Sequence, residues 1–382
     1  MKLLHTSDWH VGKSIRGHSR IEEHRSVLGE IVEYTSAHAV DAVLIAGDLF
    51  DSSAPAPAAD ALVYQTLLDL AETGAHVAVI AGNHDNPKRL SAVRRLLALG
   101  RVQMVAEPLR PNEGSVTHSV VGDERLTIAS LPFVSQRSIV RAADLMTNAG
   151  FEHTGAYADR LRALIDALSS EFSSTSVNVL LAHAFVLGGT AGGGERPSHI
   201  IDEYAVPSTV FPTTATYVAL GHLHRSQKIP GPTALHYSGS PLQLDFSDTE
   251  PVKHVNLVDA KPGAPAAVTR LPIRGGRSLR TVSGTIAELG DYVDNEDDAW
   301  LRVRVAESRR AGLADEIRVL FGERVVQVLI DAPSDDPRPS RPSRAGQSPR
   351  ELFGEYLGDR NIDDPRLERL FDELLDVEES VN

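Results

Sequence analysis

Five short apolar runs in this chain each end in hard metal ligands, a pattern that an ordinary core does not require of five strands at once. Leu3–Leu4 leads to Asp8-x-His10, Ala42–Ala46 to Gly47-Asp48 and Asp51, and Val77–Ala81 to Gly82-Asn83-His84-Asp85; Val177–Ala182 leads to His183 and Val218–Leu220 to Gly221-His222-x-His224. A buried strand reads as a nearly continuous apolar run, and open α/β sheets gather their ligand sites just beyond the carboxyl ends of such strands. Five ends converging on one place would supply seven or eight oxygen and nitrogen donors, enough for two metal ions. Singly, each residue has a plainer explanation: a buried Asp after a strand caps the next helix, and His183 is a satisfied core histidine. The ordered set carries the signal.

Asp8 and His10 are expected on an extended segment, where alternation turns both side chains to one side. Gly47 and Gly82 let the backbone turn so that Asp48 and Asn83 face inward. Carboxylate, amide and imidazole suit manganese, iron or zinc more than calcium, and a chain without cysteine offers neither thiolate ligands nor disulfides. Two such ions about 3.5–4 Å apart can activate water and clamp the attacking and leaving oxygens of an in-line displacement on phosphorus. Such a pair would suit phosphoester hydrolysis.

At 382 residues the chain is long for one domain. Stretches with apolar residues at spacings of three and four predict helices over Glu22–His38, Ala58–Glu72 and Tyr157–Phe172 between the ligand-bearing runs, so strand and helix alternate as in α/β layers. Beyond about residue 245 the strands at 252–258, 267–273, 299–305 and 325–330 carry no ligand pattern, and Arg309–Phe321 reads as a helix among them. The expected organisation is a core over 1–274, a smaller α+β domain over 275–331, a Pro- and Ser-rich linker over 332–347 and two amphipathic helices over 348–382. Asp364-Pro365 supplies an N-cap and first helical position for the second of these. The pair either folds back on its own domain or docks on a partner.

The formal charge of −14 argues against a general nucleic-acid coat protein, although Ser348–Asn382 alone holds eleven Asp or Glu against four Arg, half of the total. No signal-peptide pattern precedes Asp8, and no run reaches the roughly 20 apolar residues of a membrane span, so a cytoplasmic protein without membrane contact is expected. Gly12-Lys13-Ser14 is not a P-loop, because Ser7 stands where its first glycine belongs. The glycines at 188–189 and 192–194 read as a mobile loop at the site's rim. Lys13, Arg16, Arg20, Lys88, Arg89, Arg270, Arg274, Arg277 and Arg280 are either DNA phosphate contacts or a solvated face.

The five motifs resemble those of the calcineurin-like metallophosphoesterases: D-x-H, G-D-x-x-D, G-N-H-D/E, a lone H, and G-H-x-H, all present in order. The resemblance implies a four-layer sandwich of two packed sheets flanked by helices. It also implies that Asp8, His10 and His224 bind one metal, that Asn83, His183 and His222 bind the other, and that Asp48 bridges them. His84 is implied to contact the phosphoryl group and help the leaving oxygen depart, with Asp51 accepting the other ring proton of His84. Asp85 either shares in that chemistry or stabilises the turn.

A closer resemblance, over nearly the whole chain, is to the SbcD family of bacterial nuclease subunits. It rests on His5–Gly12, Ala46–Asp51, Leu180–Val186, Tyr217–His224 and Tyr237–Gln243. It implies manganese-dependent exonuclease and endonuclease action on DNA ends and hairpins, in DNA repair and recombination. It further implies a small domain capping the site, homodimerisation, and terminal helices gripping the coiled coil of an SbcC-type ATPase. Two alternatives share the metal core: a nucleotide or small-molecule phosphodiesterase, and a subunit that chiefly tethers DNA ends.

Overall fold

The computed structural model describes residues 1–136, 138–139, 157–196, 204–248, 250, 252–293, 298–331, 348–360, 362 and 364–381. The linker expected over 332–347 lies outside the described residues. The chain lays down β1 (Lys2–Thr6), a small ladder of β2 (Ser14–Ile15) and β3 (His18–Ser19), α1 (Ile21–Ala37), β4 (Ala42–Ile45), α2 (Pro57–Glu72), β5 (His76–Ile80), α3 (Pro87–Leu99) and β6 (Val102–Val105). There follow β7 (Val116–Val121), β8 (Glu124–Leu131), α4 (Tyr157–Ser169), β9 (Ser176–His183), β10 (Tyr217–Gly221), β11 (Gln227–Ile229), β12 (Leu235–Tyr237) and a long hairpin of β13 (Lys253–Lys261) and β14 (Ala264–Ile273).

These strands form two six-stranded sheets, in the orders β14-β13-β1-β4-β5-β6 and β11-β12-β10-β9-β8-β7. Within the first, β1, β4, β5 and β6 are parallel. Within the second, β12, β10, β9 and β8 are parallel. The sheets meet face to face through Leu3, Leu44, Ile80, Ile128, Val179 and Leu181, all buried. α1 and α2 cover the outer face of the first sheet with buried side chains such as Val27, Ile31, Val63 and Leu67, and α4 covers the second with Leu161, Leu164, Ile165 and Leu168. This is the four-layer sandwich that the motifs implied. The β7–β8 pair was not expected: Val116–Val121 alternates weakly, and only its antiparallel pairing to β8 makes it a strand.

A smaller unit follows, with β15 (Leu279–Gly284), α5 (Ile286–Gly290), β16 (Trp300–Val305), α6 (Leu313–Phe321) and β17 (Val325–Ile330). Its three strands run parallel, so strand and helix alternate rather than segregate as the α+β expectation had it. The helix expected from Arg309 starts at Leu313, because Gly312 takes a left-handed conformation with φ 79° and breaks the run. α7 (Pro349–Asp359) and α8 (Pro365–Val381) pack on each other, with the Phe353 and Phe371 rings stacked 4.0 Å apart. Asp364 accepts the Arg366 N–H at 3.0 Å and so caps α8 as expected. Among the described residues no helix is long and apolar enough to cross a membrane.

Arg20 joins the small unit to the core. Its buried guanidinium pairs with Glu23 at 2.7 Å and donates to the carbonyls of Gln243 and Arg277, while Glu23 also accepts the indole N–H of Trp300 at 2.9 Å. Arg20 is therefore a structural tie and not a DNA contact; no phosphate reaches a side chain with no exposed surface. Burial works to raise the pKa of Glu23, but Arg20 and the Trp300 and Arg277 donors outweigh it and hold the carboxyl below its usual range. A depressed native pKa contributes stability above the unfolded carboxyl pKa, and that stability is lost as pH falls through the native value. Glu23→Ala is expected to cost about 3–5 kcal/mol in urea unfolding at neutral pH, because it leaves the Arg20 charge buried and unpaired. The difference should shrink in acid.

Candidate metal centre

The ligand-bearing loops all leave the carboxyl ends of parallel strands on the same side of the sandwich: β1, β4 and β5 from one sheet, β9 and β10 from the other. Asp8 and His10 are not extended, as alternation would have required. Both take left-handed backbone angles (φ 53° and 47°), as do Asp48 (φ 52°) and, further into positive φ, His222 (φ 107°). Four side-chain-bearing residues in that sparsely populated region cost backbone energy, and such strain gathers at functional sites. The loops sustain it by pairing, with the N–H groups of Asp8 and His10 each 3.0 Å from the carbonyls of Gly47 and Asp48. Glycine is obligatory beneath them: a Cβ on Gly221 would overlap the Ala46 carbonyl oxygen, and one on Gly82 would overlap the Asp48 carboxylate.

All seven expected ligands come together, and all are buried. One cluster holds Asp8, His10 and His224, with His10 Nε2 and His224 Nε2 3.1 Å apart. The other holds Asn83, His183 and His222, with the Asn83 amide oxygen 2.9 Å from His183 Nε2 and 2.8 Å from His222 Nδ1. Asp48 Oδ2 stands between them, 3.5 Å from His10 Nε2 and 3.6 Å from His183 Nε2. His183 Nδ1 donates to the Ala46 carbonyl at 2.7 Å and His224 Nδ1 to the Gly193 carbonyl at 2.9 Å. A carbonyl can only accept, so both rings carry hydrogen on Nδ1 and turn the Nε2 lone pair inward. His183 Nε2 and the Asn83 oxygen are then two acceptors in contact, an arrangement that a cation between them relieves.

Charge points the same way. Burial pushes His10, His183 and His224 down, keeping the imidazoles neutral as metal ligands must be. Burial and the nearby Asp48 charge push Asp8 well up. Burial would raise Asp48 too, but its His183, His84 and His10 neighbours and the His84 main-chain N–H outweigh it and set that carboxyl below its usual range. Two buried carboxylates competing for neutralisation among neutral nitrogens fit a pair of divalent cations.

His84 lies against this set, its ring edge-on to His10 with centroids 4.5 Å apart. Its main-chain N–H donates to Asp48 Oδ1 at 2.8 Å, which ties its position to the Asp48 carboxylate. The orientation expected from the Asp51 carboxylate comes instead from the Asp51 main-chain carbonyl, which accepts from His84 Nδ1 at 2.9 Å. The carboxylate itself turns to Lys13 Nζ at 3.0 Å, since a full cation outcompetes a ring N–H. Asp85 is structural: it accepts from the N–H groups of Gly82, Phe50 and Leu49 at 2.9, 3.0 and 3.2 Å and fixes the turn that carries Asn83.

Several functional groups carried no signal in the residue pattern. Phe133 stacks over His222 with planes 14° apart and meets His183 edge-on, while Tyr204 stacks on Phe133, forming an aromatic wall beside the Asn83 cluster. The glycine-rich segment is no mobile rim at 192–195: Glu195 is buried and ties that turn to His224. Of the cations proposed for DNA, Lys13 is paired with Asp51, Arg89 with Asp60 and Arg277 with Asp298, whereas Arg16, Lys88 and Arg274 are exposed.

Residues 1–226 match the model of the calcineurin-like phosphoesterase family. The SbcD subunit of the nuclease SbcCD from Bacillus subtilis (strain 168) is 34% identical over 318 residues, which cover 80% of each chain. The protein of the same name from Escherichia coli (strain K12) is 27% identical over 391 residues, covering 97% of this chain and 96% of that one.

Proposed function

The chain belongs to the calcineurin-like phosphoesterases and, among them, to the SbcD nucleases, and on that premise we propose a manganese-dependent enzyme that cuts DNA ends and hairpins in repair and recombination. One observation carries the chemistry: Asp48 Oδ2 stands nearly equidistant from His10 Nε2 and His183 Nε2, one nitrogen from each candidate ligand cluster. Asp8, His10 and His224 would hold one ion, Asn83, His183 and His222 the other, and Asp48 both. Two divalent ions bound there supply Lewis acidity toward the phosphodiester and a nucleophile drawn from water.

The remaining steps fall to side chains. With Nδ1 committed to the Asp51 carbonyl, His84 presents Nε2 to the phosphoryl group; as imidazolium it passes that proton to the departing oxygen. Phe133 and Tyr204 keep bulk water from the flank of His222 and His183. Exposed Arg16, Lys88 and Arg274 would meet DNA phosphates, which suits backbone contact without base readout.

The partner is an SbcC-type coiled-coil ATPase gripped by α7 and α8, which expose Tyr356 and Leu370 by about half, and two copies of the chain form the nuclease dimer. Mixed with that ATPase, ATP and Mn2+, the purified chain is expected to cleave a hairpin-ended duplex. Rapid hydrolysis of bis-p-nitrophenyl phosphate with no cut in the DNA would overturn the substrate assignment. A chain ending at Asp331 should keep hydrolysis of the small diester within about twofold yet fail to co-elute with the ATPase on gel filtration, because the docking helices are gone and the ligand set is intact.

A further inference from the structure

Every polar atom of His224 except Nε2 is already committed. Its main-chain N–H donates to Glu195 Oε1 at 3.0 Å, its Nδ1–H to the Gly193 carbonyl at 2.9 Å, and its carbonyl accepts from Lys253 Nζ at 3.0 Å. Glu195 organises two of these three contacts. Its carboxylate also accepts from the N–H groups of Gly192 and Gly193 at 2.6 and 2.7 Å, which bends the turn so that the Gly193 carbonyl faces the imidazole. The glycines follow from that geometry: Gly193 takes φ 110°, and a Cβ on Gly192 would lie 2.6 Å from the Arg225 nitrogen. Glu195 Oε2 itself is 4.0 Å from His224 Nδ1, with only 2% of its side chain exposed.

The two clusters therefore differ. The ring of His183 leans on a neutral main-chain carbonyl, whereas that of His224 leans on a carbonyl backed by a buried charge. A negative group behind an imidazole raises its basicity toward a metal and fixes its orientation, and removal of such support typically weakens metal affinity about 10–100-fold. We propose that Glu195 is a positioning residue which, through His224, sets the affinity of the Asp8–His10–His224 cluster for its ion and makes it the tighter of the two. This rests on the two-ion reading of the site.

The test is calorimetric titration of Mn2+ into the metal-free full-length chain. Wild type is expected to show two binding events, and Glu195→Gln, which keeps the side chain's shape but loses its charge, should weaken the tighter one by about 10–100-fold and leave the other in place. Glu195→Asp, retaining the charge, should recover part of the loss. In a His224→Ala background, where the affected event is already lost, Glu195→Gln should not change the remaining one. Equal weakening of both events, or a further loss in the His224→Ala background, would reduce Glu195 to general scaffolding and sink the proposal. Two unchanged events in Glu195→Gln overturn the proposal alone; a wild-type chain that takes up no Mn2+ overturns the two-ion reading with it.

Discussion

Asp48→Asn is expected to lower DNA cleavage by roughly 10³-fold or more and to reduce bound Mn2+ from two ions to one or none, read by elemental analysis after gel filtration. In the proposed assignment Asp48 Oδ2 serves both clusters, 3.5 Å from His10 Nε2 and 3.6 Å from His183 Nε2. A neutral amide there withdraws one buried charge from two cations at once. Metal assistance is worth several kcal/mol of transition-state stabilisation, and each 1.36 kcal/mol is tenfold in rate. The amide keeps the shape and one acceptor for the His84 N–H, so the thermal midpoint of the metal-free protein should change little. A variant that retains both ions and full activity would show that Asp48 does not bridge.

His84→Ala should separate binding from turnover. This side chain is tied to the site by its main-chain N–H on Asp48 and its Nδ1 on the Asp51 carbonyl, and it belongs to neither cluster of the ligand assignment. The expected loss in the cleavage rate is about 10²–10⁴-fold, the usual contribution of a general acid, with Mn2+ stoichiometry unchanged. A substrate whose leaving group needs no proton, such as a p-nitrophenyl diester, should lose far less. Equal losses on both substrates would move His84 from proton donor to phosphate binder. Asp51→Asn, by contrast, should cost little through His84, because the supporting contact is a main-chain carbonyl.

The candidate ligand set was legible because metal chemistry demands residue types that a core avoids, and because strand ends advertise themselves as apolar runs. What the pattern could not convey was the route by which those residues reach one point. Asp8 and His10 share a direction through left-handed backbone angles, not strand alternation. The contacts that fix His183, His224 and His84 are carbonyls of Ala46, Gly193 and Asp51, and a main-chain oxygen has no residue identity to read. Arg20 looked like its neighbours Lys13 and Arg16 in a basic stretch, and only the return of the chain at Gln243, Arg277 and Trp300 buries it. The glycines at 192–194 suggested mobility, while Glu195, three residues from Gly192, holds them in place. Phe133 gives no cue at all, since its partners His183, Tyr204 and His222 lie far along the chain.

The sheet order also imposes a schedule. β1, which delivers the first two ligands, pairs on one edge with β4, but its other neighbour is β13, beginning at Lys253. A chain emerging from the ribosome thus carries Asp8 and His10 just beyond a strand with one open edge until some 250 residues have been made, a wait of roughly 10–50 s at ordinary elongation rates. The last two ligands, His222 and His224, emerge only shortly before that edge closes. Nascent fragments can fold around α1 to α3 without possessing a cutting site, and the capacity to break DNA arrives only after about two thirds of the chain has been made.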